Sequence, residues 1–556
     1  MTANRSVRRK AGAILKREHN ANPSLKVLRI ETDEATGKVR LQIRVPIGKK
    51  HLTIAFDREL LVDLPNFKKL LASTGASTKL DFQAEMDALS DPPADTPEVT
   101  IVRRALWDGK RFINCFGEFG PQSESNGAFE YDRLSKTYWK PTTRGDIESF
   151  VELLREALSA SPTLLFAFLM ALVPALMLYL GVTAESFVVA FTGQTTTGKS
   201  LSTRVVLSIS SRAAEKDLKS MNLSVGLAGQ LGGYSGTALT FGDIKASREK
   251  GKSLAEKLQT LVFGIVGGVV RETLDSKVSM PPEACAGVLS FEKPVVPFFE
   301  ENGFELEDGD RVRILDVQVP DRDLGGIFEL DPASASLLAK SVEDALHNHH
   351  GVVLPYWVDF LGKQNVERAH QAVLKFGSDF DAMVGPLSPL EARYMASVRW
   401  VYVAGRIALK SIKLKVVDRD TFESHFRLLT ARLLKTFNAG DIALQATVAQ
   451  VKKALVVSTT FTLVEKGQKA DPEECVNGFR RMEAGKMCLF VRTDFIERIT
   501  TTRNHERVLR EFERNGALLR TPDESTSSVS QKGLKRARYL KFDRDQLERM
   551  SSQSAV

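Results

Sequence analysis

The chain has 556 residues, 43% of them apolar and 26% charged, with a formal net charge of +8 and a pI near 9.1. That length exceeds one hydrophobic core and points to about three or four domains, while the apolar and charged fractions are those of an ordinary soluble globular protein. The mild basic excess favours polyanionic partners, nucleic acid first. Its four cysteines, Cys115, Cys285, Cys475 and Cys488, show no CxxC spacing and no nearby histidines. This argues against zinc and against a disulfide framework, and it suits a reducing cytoplasm, the expected location.

In chain order, residues 1–20 form a basic tail whose apolar run, Ala11 to Leu15, is too short for a secretory signal. Residues 21–150 read as a β-rich domain. Val39 to Val45 alternates apolar with polar, Leu52, Ile54 and Phe56 repeat that period, and a Thr36-Gly37 turn lies between Glu31 and Lys38. Arg58 to Leu71 reads as helical, split by Pro65, and Asp91 to Pro97 is a proline-rich linker.

Residues 151–330 carry the strongest signal. Asp146 to Leu158 begins a helix that leads into Thr163 to Val182, an uncharged stretch long enough to cross a bilayer. Pro174, the Ala/Met content, the closeness of the next strand and the lack of a flanking charge bias favour a buried helix and no membrane partner. Next comes an apolar strand, Ser186 to Thr192, then Gly193-Gln194-Thr195-Thr196-Thr197-Gly198-Lys199-Ser200, then a helical pattern carrying Leu201, Val205, Val206 and Ile209. The middle run fits the phosphate-loop pattern G-x-x-x-x-G-K-[ST] at every fixed position. Strand, glycine turn and helix N-terminus gather backbone N–H groups around one anion. Lys199 is placed to reach the β/γ-phosphates of a nucleoside triphosphate and the Ser200 hydroxyl to ligate Mg²⁺. The alternative, a chance match in a Thr/Gly-rich turn, does not explain the flanking strand and helix.

Hydrolysis needs more than binding. The candidate partner strand is Thr237 to Asp243, which ends in one acid where two are usual. Asp243 either serves Mg²⁺ through a water or occupies the position of the water-activating base, so slow hydrolysis is an open alternative. Arg271, Arg311 and Arg313 are candidates to stabilise charge on a γ-phosphate; each has acids nearby in sequence, Glu272, Asp310 and Asp316, that would pair with it instead.

Residues 331–450 are mostly helical, with Leu390 to Leu409 as a long amphipathic stretch. In residues 451–556, Asp494 to Ile499 and Glu506 to Asn515 read as short helices, and Ala517 to Leu519 and Tyr539 to Phe542 as a two-stranded pair. The loop between those strands holds Lys532, Lys535, Arg536 and Arg538. Two helices and a basic wing are the pattern of a winged-helix DNA-binding module, with a small packing domain as the alternative.

These segments together resemble the P-loop ATPase family of mobile genetic elements that carries the domain of unknown function nine-two-seven and is found in Cch-type helicases. The resemblance rests on Phe187 to Ser200, Asn222 to Gly226, Gly267 to Arg271, Leu289 to Glu292, Gly309 to Val317, Arg393 with Ala404-Gly405, and Cys488 to Gly516. It implies an α/β fold: an AAA+-like P-loop NTPase core related to the MCM-type ring helicases, with a β-rich N-terminal domain, a helical lid and a C-terminal winged helix. It further implies ATP and Mg²⁺ as cofactors, DNA as partner, a homo-oligomeric ring, a hexamer, and a primase or replication-initiation partner. Gly193 to Leu201 would hold the nucleotide, Ser290, Glu292 and Arg393 would act as sensors, and Arg313 or Arg271 would act on a neighbour's nucleotide. The expected function is an ATP-dependent DNA helicase or translocase in replication; the alternative is a slowly hydrolysing, DNA-associated ATP switch.

Overall fold

The computed structural model describes residues 25–76, 80–120, 129–135, 138–139, 142–182, 186–214, 231–242, 251–266, 284–304, 306–457, 461–500, 505–519, 527–529, 532, 534 and 537–550. The chain divides into two compact units, the second built from residues 249–255, 293–311 and 430–556 and the first from the rest.

The first unit opens with the alternating strands read from the sequence. β1 (Lys26–Asp33), β2 (Val39–Ile47) and β3 (Lys50–Asp57) form antiparallel hairpins, and Leu41, Ile43 and Val45 point to one face and are fully buried. The Asp33 carboxylate accepts from the backbone N–H of Ala35 and Thr36, which shapes the turn before Gly37 at φ +66°. The helical stretch after β3 is split as expected. A 3₁₀ turn, Arg58–Val62, ends at Asp63, which caps the helix Leu64–Ser73 and places Pro65 in its first turn, where a missing N–H costs nothing. After the linker, β4 (Glu98–Val102) and β8 (Phe129–Tyr131) extend the first sheet in the order β3-β2-β1-β4-β8. Between them β5 (Leu106–Asp108), β6 (Arg111–Asn114) and β7 (Gly117–Phe119) make a small antiparallel meander.

The same unit contains a four-stranded parallel sheet: β9 (Phe187–Thr192), β10 (Ala238–Thr240), β11 (Ala286–Phe291) and β12 (Ile314–Gln318), in the order β10-β11-β9-β12. Every residue of β9 is buried, as a strand covered on both faces requires. Gly287 on β11 lets Ile265 of the helix Gly251–Val266 come close; a Cβ there would lie 2.7 Å from the Ile265 Cδ1.

The apolar stretch 163–182 is one helix in the sequence reading and two in the structure, Pro162–Met170 and Val173–Tyr179. Pro174 sits in the first turn of the second helix and cannot donate back into the first, so the chain turns at Ala171–Leu172. Burial is as expected, with 89% of the window Pro162–Tyr179 inside the protein. Two indoles reach this segment: Trp357 Nε1 donates to Leu172 O at 3.0 Å, beside the Leu176 N–H, and Trp107 Nε1 to Ala175 O at 3.2 Å.

Helices follow from Pro332 to Val456: Pro332–Asn348, Val353–Gly362, Val366–Val384, Pro389–Ala408 and Arg419–Val456. Pro389–Ala408 starts from a capping box formed by Ser388 and Glu391. Near its other end Gly405 faces Leu169 and Phe422, whose nearest atoms would lie 2.8 and 2.5 Å from an added Cβ. The helix axes approach there because no side chain intervenes.

The second unit has a five-stranded sheet of β13 (Thr462–Leu463), β14 (Gly478–Glu483), β15 (Lys486–Arg492), β16 (Ser527–Val529) and β17 (Ala537–Asp543), in the order β13-β14-β15-β17-β16. The helices Thr493–Ile499 and His505–Arg514 pack Ile496, Val508, Leu509 and Phe512 into its core. Leu518 bridges Phe542, as the sequence pairing expects, but the sheet is larger than a two-stranded pair. β17 also pairs along β15 and β16, and β14 and β15 were not foreseen as strands. Lys532 is exposed and its carbonyl accepts from Ala470 N–H at 2.8 Å, and Arg538 lies on β17 opposite Ser528; Lys535 and Arg536 lie outside the described residues.

Phe168 is fully buried in the helix Pro162–Met170. Phe168→Ala is expected to cost about 3–5 kcal/mol, read as a lower denaturation midpoint, whereas a lipid-facing phenylalanine would leave the midpoint of purified protein unchanged.

Candidate phosphate-binding site

The run Gly193–Ser200 joins the C-terminal end of β9 to the N-terminus of the helix Lys199–Ser208. Three of its residues have left-handed backbone: Gly193 at φ +142°, Thr196 at +65° and Gly198 at +97°. Glycine takes such angles without cost, and Thr196 takes one with some strain. Gly193 and Gly198 are required on steric grounds as well. A Cβ on Gly193 would lie 2.8 Å from Val319 O, and one on Gly198 would lie 2.7 Å from Ile327 Cδ1.

Inside the loop, Thr197 Oγ1 donates to Gln194 O at 2.9 Å and Thr196 Oγ1 to Thr195 O at 2.6 Å. Lys199 is only 5% exposed, and its Nζ donates to Gly193 O at 2.8 Å and to Gln194 O. The ammonium is thus folded beneath a loop whose apex, Gln194, Thr195 and Thr196, is exposed. Ser200 is half-buried in the first helical turn, and Leu201 anchors that turn in the core. Backbone N–H groups at a helix N-terminus, a buried cation and an adjacent hydroxyl are the chemistry that can receive a phosphate chain.

A second segment holds the loop from behind, and sequence reading missed it. After β12, Val319 N–H donates to Thr192 O at 2.7 Å, and Ile327 N–H donates to Thr197 O at 2.9 Å. The strap 319–329 makes that approach through Gly325 and Gly326, at φ +84° and +58°. A Cβ on Gly326 would lie 2.5 Å from Thr197 O. Ser161 anchors the far side: its Oγ donates to Ile327 O at 2.5 Å and accepts from Leu164 N–H, capping the helix Pro162–Met170. One residue pair away, His425 Nε2 meets Ser159 O at 2.9 Å, and burial pushes the imidazole pKa down. The Gly-Gly pair was the available sequence signal, since such dipeptides mark special backbone geometry.

At the same edge of the sheet, Thr195 Oγ1 donates to Glu292 Oε1 at 3.3 Å. Glu292 directly follows β11 and is exposed, while Ser290 is fully buried and its hydroxyl has no partner. Thr240 is likewise buried with an unpartnered hydroxyl. The register Thr240↔Val288 puts Thr240 and Ser290 on one face of the sheet.

The structure therefore brings together Gly193 to Leu201, Ser290 and Glu292. It places Arg313 elsewhere: Val188 N–H donates to Arg313 O at 2.9 Å, at the N-terminal end of the parallel strands. That is the opposite edge of the sheet from the loop, roughly 15 Å away at the strand rise. Arg311 is buried against Phe437, with Asp308 at 3.6 Å, so it makes the nearby-acid pairing the sequence allowed, with a different acid. Arg393 is exposed on the helix Pro389–Ala408. Asp243 and Arg271 lie outside the described residues.

Fold and loop together define an α/β protein whose parallel sheet feeds a glycine-rich anion loop from its central region. Residues 12–272, which include this loop, match the family model described as "Domain of unknown function (DUF927)". Among solved structures, it is similar to one described as "SCCmec type IV Cch - active helicase", with a TM-score of 0.57, 16% sequence identity and 94% of each chain covered. At that identity the likeness establishes the fold, which this chain shares with that helicase. No curated protein matches the chain.

Gly326→Ala should push the strap off Thr197 and weaken ATP binding tenfold or more, about 1.4 kcal/mol, in a titration with a fluorescent ATP analogue. Unchanged affinity would show that the strap does not set the loop.

Proposed function

We propose that the protein is an ATP-dependent DNA helicase or translocase of a mobile genetic element, acting in replication as a homo-oligomeric ring. The observation that carries this reading is the loop Gly193–Ser200, with Lys199 buried beneath an exposed, left-handed backbone apex. The sheet order β10-β11-β9-β12 supports an AAA+-like core, because it sets the loop strand beside β11 and puts β10, the strand leading toward Asp243, one place further out.

In this reading the loop N–H groups and Lys199 hold the triphosphate. Mg²⁺ fits the residues present: the nearby side-chain donors are hydroxyl oxygens and the Glu292 carboxylate, and among the described residues no cluster of His, Cys, Asp and Glu forms a metal cage. A magnesium ion bound through one hydroxyl, substrate phosphates and water needs no such cage. Ser200 would hold it, with Asp243 as the carboxylate that serves it, and the ion would neutralise charge on the phosphates. Ser290, and Arg393 on the helical segment, would sense the γ-phosphate. Arg313 sits far from its own loop, which supports a role toward a neighbouring subunit's nucleotide; Arg271 is the other candidate. The C-terminal region, as a winged helix, would contact DNA through Lys532, Lys535, Arg536 and Arg538, and a primase or initiation protein would be its replication partner.

A second reading is a slowly hydrolysing ATP switch on DNA. The lone acid in Thr237 to Asp243 favours it.

Lys199→Ala separates these from a protein that does not use ATP. The helicase reading expects DNA-stimulated ATP turnover and displacement of a labelled strand by wild type, both falling by at least about a hundredfold in the variant, some 2.7 kcal/mol of barrier. Tight, Lys199-dependent binding without strand displacement selects the switch, and ATP binding indifferent to Lys199 overturns both.

A further inference from the structure

ATP hydrolysis requires a group that orients the attacking water and accepts its proton. In the sequence the run Thr237 to Asp243 ends in one acid and is followed by Ile244, so it supplies one carboxylate for two tasks. A second carboxylate stands at the loop itself.

We propose that Glu292 is the base that activates water for ATP hydrolysis, an inference that rests on the ATPase reading above. β11 lies beside β9 in the parallel sheet, and Phe291 is level with Thr192. Glu292 therefore leaves the sheet at the height where the loop begins. Its Oε1 accepts from Thr195 Oγ1 at 3.3 Å, so the carboxylate faces the third residue of the loop, on the exposed apex. That hydrogen bond is long for O–H···O, and a water can replace it at little cost. The carboxylate is exposed, and among the described residues no cation pairs with it; the neighbouring Lys293 is engaged by Glu301 at 2.9 Å.

A second observation at the same strand end points to a ligand. The Ser290 hydroxyl, two residues earlier, is fully buried and unpartnered. Buried polar atoms are rarely left so, and a water or phosphate oxygen at the end of β11 would satisfy it. Ser290 and Glu292 together provide a donor and an acceptor for one water.

In the step, the water oxygen bonds to the γ-phosphorus as its proton passes to a Glu292 carboxylate oxygen. The bond from the γ-phosphorus to the β–γ bridging oxygen breaks, and its electron pair leaves with ADP. Glu292 then returns the proton to solvent as inorganic phosphate departs.

The test uses full-length protein, MgATP and the variants Glu292→Gln, Lys199→Ala and Lys293→Ala. Glu292→Gln keeps the size and the Thr195 contact, so the expected result is an ATP KM and melting temperature close to wild type with kcat lower by about 10²–10⁴. Glu292→Asp should recover part of that loss, because it restores the base at a greater distance. Lys293→Ala, with its outward ion pair, should turn over at the wild-type rate. Turnover by Glu292→Gln at the wild-type rate, with Lys199→Ala inactive, overturns this inference and leaves the ATPase reading standing. A wild type that binds MgATP without turnover also overturns it. A wild type that does not bind MgATP overturns the underlying reading and this inference with it.

Discussion

The site depends on the orientation of a single peptide group, the one between Thr197 and Gly198. An anion-binding loop must turn its N–H groups toward the ligand and its carbonyls away, and a carbonyl turned away needs a donor or it carries a desolvation cost of about 1–3 kcal/mol. Here the Thr197 carbonyl accepts from Ile327 N–H, and the Thr192 carbonyl accepts from Val319 N–H. The strap 319–329 thus fixes the outward side of the loop. Gly326 supplies the close approach, and Gly198 leaves room for Ile327. These are two halves of one steric arrangement.

This arrangement explains which parts of the site could be read from sequence. The loop was legible because its chemistry is local: Gly193, Gly198, Lys199 and Ser200 occupy a fixed spacing between a strand and a helix. The strap was not, since Gly325-Gly326 becomes meaningful only once β12 lies beside β9 and carries the chain back over the loop. Glu292 was legible as a residue near a functional strand end, while its contact with Thr195 depends on the parallel register of β11 and β9. That Arg313 lies far from its own loop was not legible for the same reason. A parallel sheet separates residues at its two edges, and linear proximity to β12 does not say which edge an arginine occupies.

At the level of the fold, period-two alternation identified β2 and β3, and the apolar run before the loop identified β9. Proline marked the break before Leu64–Ser73 correctly and was underweighted at Pro174. There hydropathy suggested one continuous helix, because hydropathy does not register a missing N–H. The strands β14 and β15 are rich in Arg, Lys and Glu on one face, and their alternation is masked by residues such as Met482 and Met487 that break the apolar–polar rhythm.

The broken apolar segment also bears on how the site is held. A helix that crosses lipid must satisfy its own backbone polar groups, because the hydrocarbon offers no partners. This segment does the opposite. Its Leu172 and Ala175 carbonyls accept from the Trp357 and Trp107 indoles, and its N-terminus is capped by Ser161, whose hydroxyl also donates to Ile327 O. The partners come from within the first unit, and one of them belongs to the strap that orients the phosphate loop. The most apolar stretch of the chain is therefore the rigid wall against which the strap is set. Its burial and the geometry of the loop follow from the same packing, linked through Ser161 and Ile327.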